Sequence, residues 1–382
     1  MNANPRETVI AIIGCGFVAD YYMTTLANYP WIRVAGAFDI DAARLGVFTN
    51  YYRLPAYRSF DELLDDASVS IVLNLTNPRA HYDVSLRCLR AGKHVYSEKP
   101  LAMDYAQAEE LVILAETMGL AISSAPCSLL GNAAQTLWRA VREQAVGNVR
   151  LVYAELDDGM IHRMPYRKWK SVSGAPWPYK DEFEVGCTLE HAGYYLAWLV
   201  AMFGRVETVT AHAACLVPDK LPDEALTPPD TPDFSVGILK FECGVVARLS
   251  TTIVGPHNHE LKVIGDDGVL EMKDCWFNDA GVYVRKLLTV RRKTFLSPVS
   301  VRYRAKNQPR VRLKNTGGNR MDFAAGIADM ATALREGLDY SLSPRFSLHV
   351  NEVALALQQA NGVYKIRSAF QPVRPLGWAA SE

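Results

Sequence analysis

The chain has 382 residues, and its 41 Lys plus Arg balance 41 Asp plus Glu, so the formal net charge is zero. That balance excludes a chain built to neutralise a nucleic-acid backbone, because such binding draws its affinity from a basic surplus. Hydrophobic residues at 49% and charged residues at 21% exclude a disordered chain, and the length calls for two domains. The seven cysteines are scattered, with no C-x-x-C pair, which argues against a disulfide framework or a zinc ribbon. Residues 1–8 carry no signal-peptide pattern. The uncharged apolar stretch 194–203 falls short of the ~20 residues a membrane span needs. A cytoplasmic protein with reduced thiols, acting neither on nucleic acid nor in a membrane, is expected.

From residue 8 to about 125 the chain alternates short apolar runs with amphipathic segments. The runs cover residues 9–13, Ile32–Phe38 and residues 70–75, 94–96 and 120–124. Helical patterns occupy Phe60–Asp65, residues 79–91 and Tyr105–Met118, and Gly92 and Gly119 stand where left-handed helix caps fall. Apolar strands separated by helices predict a parallel sheet covered on both faces.

The first run leads into Gly14-Cys15-Gly16-Phe17-Val18-Ala19, which fits the dinucleotide fingerprint G-x-G-x-x-G/A. Gly14 permits the tight turn, Gly16 lets a pyrophosphate approach the backbone, and Ala19 allows close helix–sheet packing. Phe17 and Val18 open a helix whose amide groups point at the phosphates. Asp39 ends the second run 23 residues after Gly16. Its carboxylate would accept hydrogen bonds from the adenosine ribose and repel a 2′-phosphate, which favours NAD, while Arg44 leaves room for NADP. Thr76, Asn77 and His81 follow the third run, and Glu98-Lys99-Pro100 follows the fourth. Both segments leave the carboxyl ends of parallel strands, where open α/β sheets bind ligands. Taken alone, Glu98 and Lys99 read as a solvated ion pair.

The pattern changes after Pro126. A helix is expected over residues 132–144, a strand over Val149–Asp157 and one continuous helix over residues 188–203. Strands follow at Val206–Ala214, Phe234–Phe241 and residues 245–253, 259–264 and 269–272, with turns at Glu242-Cys243-Gly244 and Asp266-Asp267-Gly268. Consecutive strands with tight turns predict a mainly antiparallel sheet. Residues 218–232 hold five prolines and read as a surface loop. Residues 287–314 are basic and poorly patterned, with a solvated strand or oligomer contact as the reading of 290–312, and two helices, 320–336 and 344–366, end the chain. His257 and His259 could share a strand face as a metal pair would, but no third ligand is evident and no metal is expected.

Together, Gly14 to Ala19, Thr76 to His81 and Glu98-Lys99-Pro100 resemble the Gfo/Idh/MocA oxidoreductases, and the resemblance spans nearly the whole chain. It implies an α/β architecture: a Rossmann domain over residues 1–125, then an α+β domain over 126–382 whose large open sheet mediates substrate binding and assembly into a homodimer or homotetramer. It places Thr76, Asn77, His81, Glu98 and Lys99 at the cofactor and Lys99 between cofactor and substrate. The family's D-x-G-x-H motif aligns with Glu190 to Tyr194, so Glu190 replaces the aspartate and Tyr194 the histidine, while His191 competes for the acid/base role.

The implied chemistry is hydride transfer between nicotinamide and a secondary alcohol or ketone of a sugar, sugar acid or nucleotide sugar. Lys99 would lower the phenol pKa of Tyr194 and polarise the reacting oxygen. Tyr194, Tyr195, Trp198 and Phe203 also fit a simple packed helix. The loop 157–184 brings Arg163, Arg167, Lys168 and Trp169, suited to an anionic carbohydrate substrate; Arg163, Lys168 and Trp169, with Glu190 and His191, are the expected substrate contacts. An NAD-dependent glycoside hydrolase and a non-catalytic NAD-binding protein are the alternatives.

Overall fold

The computed structural model describes residues 7–308, 320–359 and 362–380. The first sheet contains β1 (Thr8–Ile13), β2 (Ile32–Phe38), β3 (Ile71–Asn74), β4 (His94–Ser97) and β5 (Ile122–Ser124), all parallel, in the order β2-β1-β3-β4-β5. Between the strands lie α1 (Phe17–Leu26), α2 (Ala42–Tyr52), α3 (Phe60–Asp65), α4 (His81–Arg90) and α5 (Tyr105–Met118). The strands are nearly continuous apolar runs because helices cover both faces. Ile10 and Ile12 pack into one core layer, while Ala11 and Ile13 pack into the other. The order reverses at β1, between β2 and β3, which is where a doubly wound sheet opens its ligand crevice.

The second sheet has ten strands. They are β6 (Val149–Asp157), β7 (Val206–Ala214), β8 (Phe234–Phe241), β9 (Val246–Thr252), β10 (Leu261–Gly265), β11 (Gly268–Met272), β12 (Val282–Val290), β13 (Lys293–Leu296), β14 (Val301–Tyr303) and β15 (Gly362–Lys365). Only the β6–β9 pair is parallel among these described strands. The remaining helices are α6 (Asn132–Arg142), α7 (Tyr179–Val185), α8 (Cys187–His191), α9 (Gly193–Phe203), α10 (Ala325–Glu336) and α11 (Pro344–Gln359). Trp198, Leu196 and Val353 bury one face of the sheet against Val152, Ala154, Leu249 and Val263. The opposite face alternates outward and leaves Leu151 and Ile238 exposed.

Two helix expectations need correction, and the reading of the basic stretch between them holds. The continuous helix over 188–203 is two helices, α8 and α9, divided at Ala192. The backbone there stays helical (φ −54°, ψ −31°), so Glu190 and Tyr194 keep a common side. The basic stretch after residue 287 forms the mostly exposed β12–β13 hairpin and β14, in line with a solvated strand, and residues 309–314 lie outside the described residues. The last helix stops at Gln359, short of 366, because the Asn361-Gly362 turn signal precedes Val363 and Tyr364, which extend as β15 along β7.

The chain also returns to the first sheet. Phe323, Ala324, Ile327 and Met330 pack with Ile10, Tyr22 and Tyr96. A Cβ on Gly326 would fall 2.0 Å from the Tyr96 hydroxyl, so this helix can approach only as glycine. Gly326→Ala should therefore lower stability by about 1–3 kcal/mol, the usual range for overpacking. The check is the urea midpoint at constant m-value; an unchanged midpoint would contradict the close approach.

Candidate active site

The glycine turn comes first. Gly14 has φ +92°, and a Cβ there would lie 2.5 Å from the Leu75 carbonyl oxygen, so the turn tolerates only glycine. A Cβ on Gly16 would meet nothing within 4 Å, which leaves open space in front of α1. Asp41, Ser59 and Asp104 cap α2, α3 and α5 through their side chains, whereas α1 has Gly16 and no side-chain cap. Its first amides are free to hold an anion. Ala19 is fully buried against the sheet. Asp39 receives the Cys15 amide (2.8 Å) on one oxygen and the Asp41 amide (2.8 Å) on the other. These bonds lock the carboxylate at the end of β2 beside the turn. The turn, the open cradle and the fixed carboxylate fit a dinucleotide.

The second element is the Lys99 corner. Glu98 accepts the Tyr22 hydroxyl (2.7 Å) and the Lys99 amide (3.1 Å), which fixes the backbone ahead of the lysine. The Lys99 ammonium forms a short ion pair with Glu190 of α8. Burial alone would push the ammonium pKa down; the carboxylate of Glu190, together with Tyr194, Glu98 and Glu182, more than offsets this and raises it. Lys99 is therefore a fixed cation. His81 is fully buried, with Nδ1 2.7 Å from the Pro100 carbonyl and Nε2 3.0 Å from the Thr76 carbonyl. Burial, against those two backbone contacts, lowers its pKa to about 4. His81 thus stays neutral, with one N–H to donate, so it bonds one of these carbonyls and packs its other nitrogen against the second. Thr76 and Asn77 use their side chains locally, on Asn74 and on the Arg79 amide.

The third element is a buried chain of charges that sequence reading missed. Glu182 of α7 contacts His191 Nε2 at 2.5 Å, and Asp158, just after β6, pairs with Nδ1 of the same ring. The other oxygen of Asp158 lies 2.7 Å from His259 Nε2, and His259 Nδ1 is 3.3 Å from Asp274. Burial would lower both imidazole pKa values, but the flanking carboxylates raise His191 to about 10 and His259 to about 9. His191 is thereby held as an imidazolium, with Nε2 on Glu182 and Nδ1 paired by charge with Asp158. Tyr194 lines the cavity beside Trp276, ring centroids 5.8 Å apart. The expected lowering of its phenol pKa by Lys99 does not occur: burial outweighs the Lys99 charge and raises it.

One cavity of about 1110 Å³ joins these parts. Its wall includes Gly14, Gly16, Phe17, Val18, Asp39, Thr76, Asn77, His81, Glu98, Lys99, Glu182, Glu190, His191, Tyr194 and Trp276. The loop after β6 supplies Lys168, Trp169, Lys170 and Trp177 to the same wall. Arg163, an expected substrate contact, is exposed and placed against Met160 Sδ, because its short helical turn points it to solvent. Arg167 is likewise taken up by Asp223 and Glu224. The cation-rich loop therefore presents less positive charge to the cavity than its sequence suggests. Glu182, Asp158 and Trp276 sit in irregular or helical segments without a motif; their only signal was a titratable or aromatic side chain near the loop ends.

The raised imidazole pKa values carry a pH dependence with a definite sign. Charged His191 and His259 stabilise the fold fully below the ordinary histidine value of about 6.5, and this contribution is lost as pH rises through about 9 and then about 10. The melting temperature should fall across pH 7–10, and Asp158→Asn should flatten that fall. An equally steep fall in the variant would contradict the coupling.

Two family profiles match the chain. Residues 8–125 match an oxidoreductase family with an NAD-binding Rossmann fold, and residues 134–271 match the GFO/IDH/MocA C-terminal domain. The trans-1,2-dihydrobenzene-1,2-diol dehydrogenase of Mus musculus is 28% identical over 268 residues, 69% of this chain and 74% of that protein. Its Xenopus tropicalis counterpart is 24% identical over 271 residues, 69% and 75% of the two chains. Among solved structures, the WlbA dehydrogenase of Bordetella pertussis, in complex with NADH and UDP-GlcNAcA, superposes with a TM-score of 0.73 at 14% identity, covering 95% of this chain and 98% of that one. The aldose-aldose oxidoreductase of Caulobacter crescentus, complexed with glycerol, gives 0.71 at 20% identity, covering 94% and 100%. At these identities the structural likenesses establish the fold alone. The two profile matches together span most of the chain, which belongs to the Gfo/Idh/MocA family of NAD-binding oxidoreductases.

Proposed function

We propose that the chain oxidises a secondary alcohol of a neutral, polyhydroxylated ring, a sugar or cyclic diol, with NAD, or reduces the corresponding ketone. The observation that carries this reading is the buried Lys99–Glu190 pair in the wall of the cavity that begins at the glycine turn. Bound NAD would supply the hydride acceptor or donor. Gly14, Gly16 and the first amides of α1 would hold its pyrophosphate, and Asp39 its adenosine ribose. Asp39 is nearly buried, and Arg44 stands 3.9 Å from it; the carboxylate disfavours a 2′-phosphate there.

The acid/base work falls to this chain's own residues. The Lys99 ammonium stabilises negative charge on the reacting oxygen. Glu190 holds Lys99 in place and accepts a hydrogen bond from a neighbouring substrate hydroxyl. Tyr194, kept protonated by burial, donates its phenolic proton to the carbonyl oxygen during reduction. Oxidation is the reverse step: Tyr194 must first lose its proton to solvent, which burial disfavours, and the phenolate then takes the alcohol proton as hydride leaves the carbon. Glu182 and Glu190, both buried in the cavity wall, already take up the His191 and Lys99 charges, so neither cation is left unpaired for an anionic group at that end, and Trp276 with Tyr194 offers apolar faces for a ring.

This reading extends the names of the relatives, which include a dihydrodiol dehydrogenase and an aldose-aldose oxidoreductase. We assign the uncovered face of the ten-stranded sheet, with Leu151 and Ile238, to assembly as a homodimer or homotetramer. The test of the activity is NADH absorbance across a panel of neutral sugars, inositols, cyclic diols, sugar acids and UDP-sugars. Turnover is expected with a neutral polyol. Lys99→Met should lose 10²-fold or more in kcat, within the usual range for acid/base groups, while NAD affinity changes little. Full turnover by Lys99→Met would overturn the assignment.

A further inference from the structure

The loop that walls the cavity begins at Asp158 and runs to α7, which carries Glu182. Both of these ends meet one side chain: Asp158 pairs with His191 Nδ1, and Glu182 with Nε2. The tip is tied down separately, by the Ser173 hydroxyl donating to Asp20 of α1 at 2.7 Å. Inside the loop, Ile161, Tyr166 and Phe183 pack with Leu221, Leu226 and Ile253 as a small core of their own. Lys168, Trp169, Lys170 and Trp177 from this loop line the cavity.

We propose that His191 is a positioning residue: a buried imidazolium that staples together the two ends of the 158–182 loop and so sets the cavity wall that selects the substrate. The proposal rests on the cavity's being the substrate site. Its physical basis is the donor count. A neutral imidazole has one donor and one acceptor, whereas the imidazolium carries a charge that holds both carboxylates: it donates through Nε2 to Glu182 and pairs by charge at Nδ1 with Asp158. A lysine would pair as a flexible point charge without fixing two directions.

The groups facing His191 all favour the charged ring or leave it undisturbed. Asp158 follows β6, Glu182 lies on α7, and Glu190 is its neighbour on α8 and interacts with it through charge. The Trp276 ring stacks at 6.1 Å. Behind Asp158 stand His259 and then Asp274, with His257 3.9 Å from Asp274. The raised pKa of about 10 keeps the staple closed at neutral pH. It is a fixed fastening, with no switching at physiological pH.

Hydrogen exchange read by mass spectrometry tests this without needing a substrate. Wild type, His191→Gln and Glu182→Gln are compared over peptides within 158–182, together with trypsin cleavage after Arg163, Arg167, Lys168 and Lys170. Both variants should exchange and be cleaved about 10-fold faster in that loop, with β1–α1 peptides and NAD affinity unchanged. Wild-type loop protection, corrected for intrinsic exchange, should fall as pH rises through about 10. On the best substrate from the panel, KM should rise more than kcat falls. Loop protection equal to wild type in the variants, or a uniform loss across the whole molecule, overturns the staple. If His191→Gln does not fold, Glu182→Gln and the wild-type pH series decide. A wild type that turns over nothing sinks the proposed activity, while the exchange data judge the staple separately.

Discussion

The Lys99–Glu190 ion pair joins the two halves of the molecule at the point where the chemistry is placed. Lys99 leaves the carboxyl end of β4 in the first sheet, and Glu190 comes from α8 over the second. Both side chains are largely removed from solvent, so each charge depends on the other. Removing one partner of such a buried pair typically costs about 3–5 kcal/mol. Here Glu190, already pushed toward its neutral form by burial and by Glu182, can relieve part of that cost by taking up a proton. The pair is better read as a device for holding an ammonium at a defined place than as a source of stability.

Much else serves that placement. Glu98 bonds to Tyr22 and to the Lys99 amide, buried His81 fills the space between the Thr76 and Pro100 carbonyls, and the late return of α10 packs under Tyr96. The charge balance of the whole chain, which argued only against nucleic acid, recurs locally. Lys99 pairs with Glu190, and beside them carboxylates and cations alternate through Glu182, His191, Asp158, His259 and Asp274, so few buried charges lack a counterpart. Compensation of this kind lets a polar site persist inside an apolar core.

The Rossmann half was legible in the sequence because each of its constraints is local. The Gly14 turn needs a positive φ, β1 needs an unbroken apolar run, and Asp39 follows at a fixed remove. Glu98-Lys99-Pro100 was legible as a motif, and Glu190 and Tyr194 by their register before the helix ending. What could not be read was pairing across the chain. Nothing local brings Asp158, Glu182 and His191 together, and the basic character of residues 163–168 gave no sign that Arg163 turns to solvent and Arg167 to Asp223. The sign of the Tyr194 shift also escaped, because burial depends on neighbours such as Trp276 that arrive from distant segments. His191 lines the cavity, but what holds its ring was not legible, since its two carboxylate partners come from other elements.

We propose that the dinucleotide cleft ends at Lys99 and Glu190, with Tyr194 presented to the reacting oxygen and His191 held back by Asp158 and Glu182. A crystal structure of the NAD complex tests it most directly. The account predicts the nicotinamide ring in contact with the Lys99 side chain, the adenosine ribose on Asp39, the pyrophosphate on the Gly14–Gly16 turn, and both nitrogens of His191 still on their carboxylates. A nicotinamide seated away from Lys99, or a His191 ring freed from Asp158 and Glu182 and turned toward the nicotinamide, would contradict it.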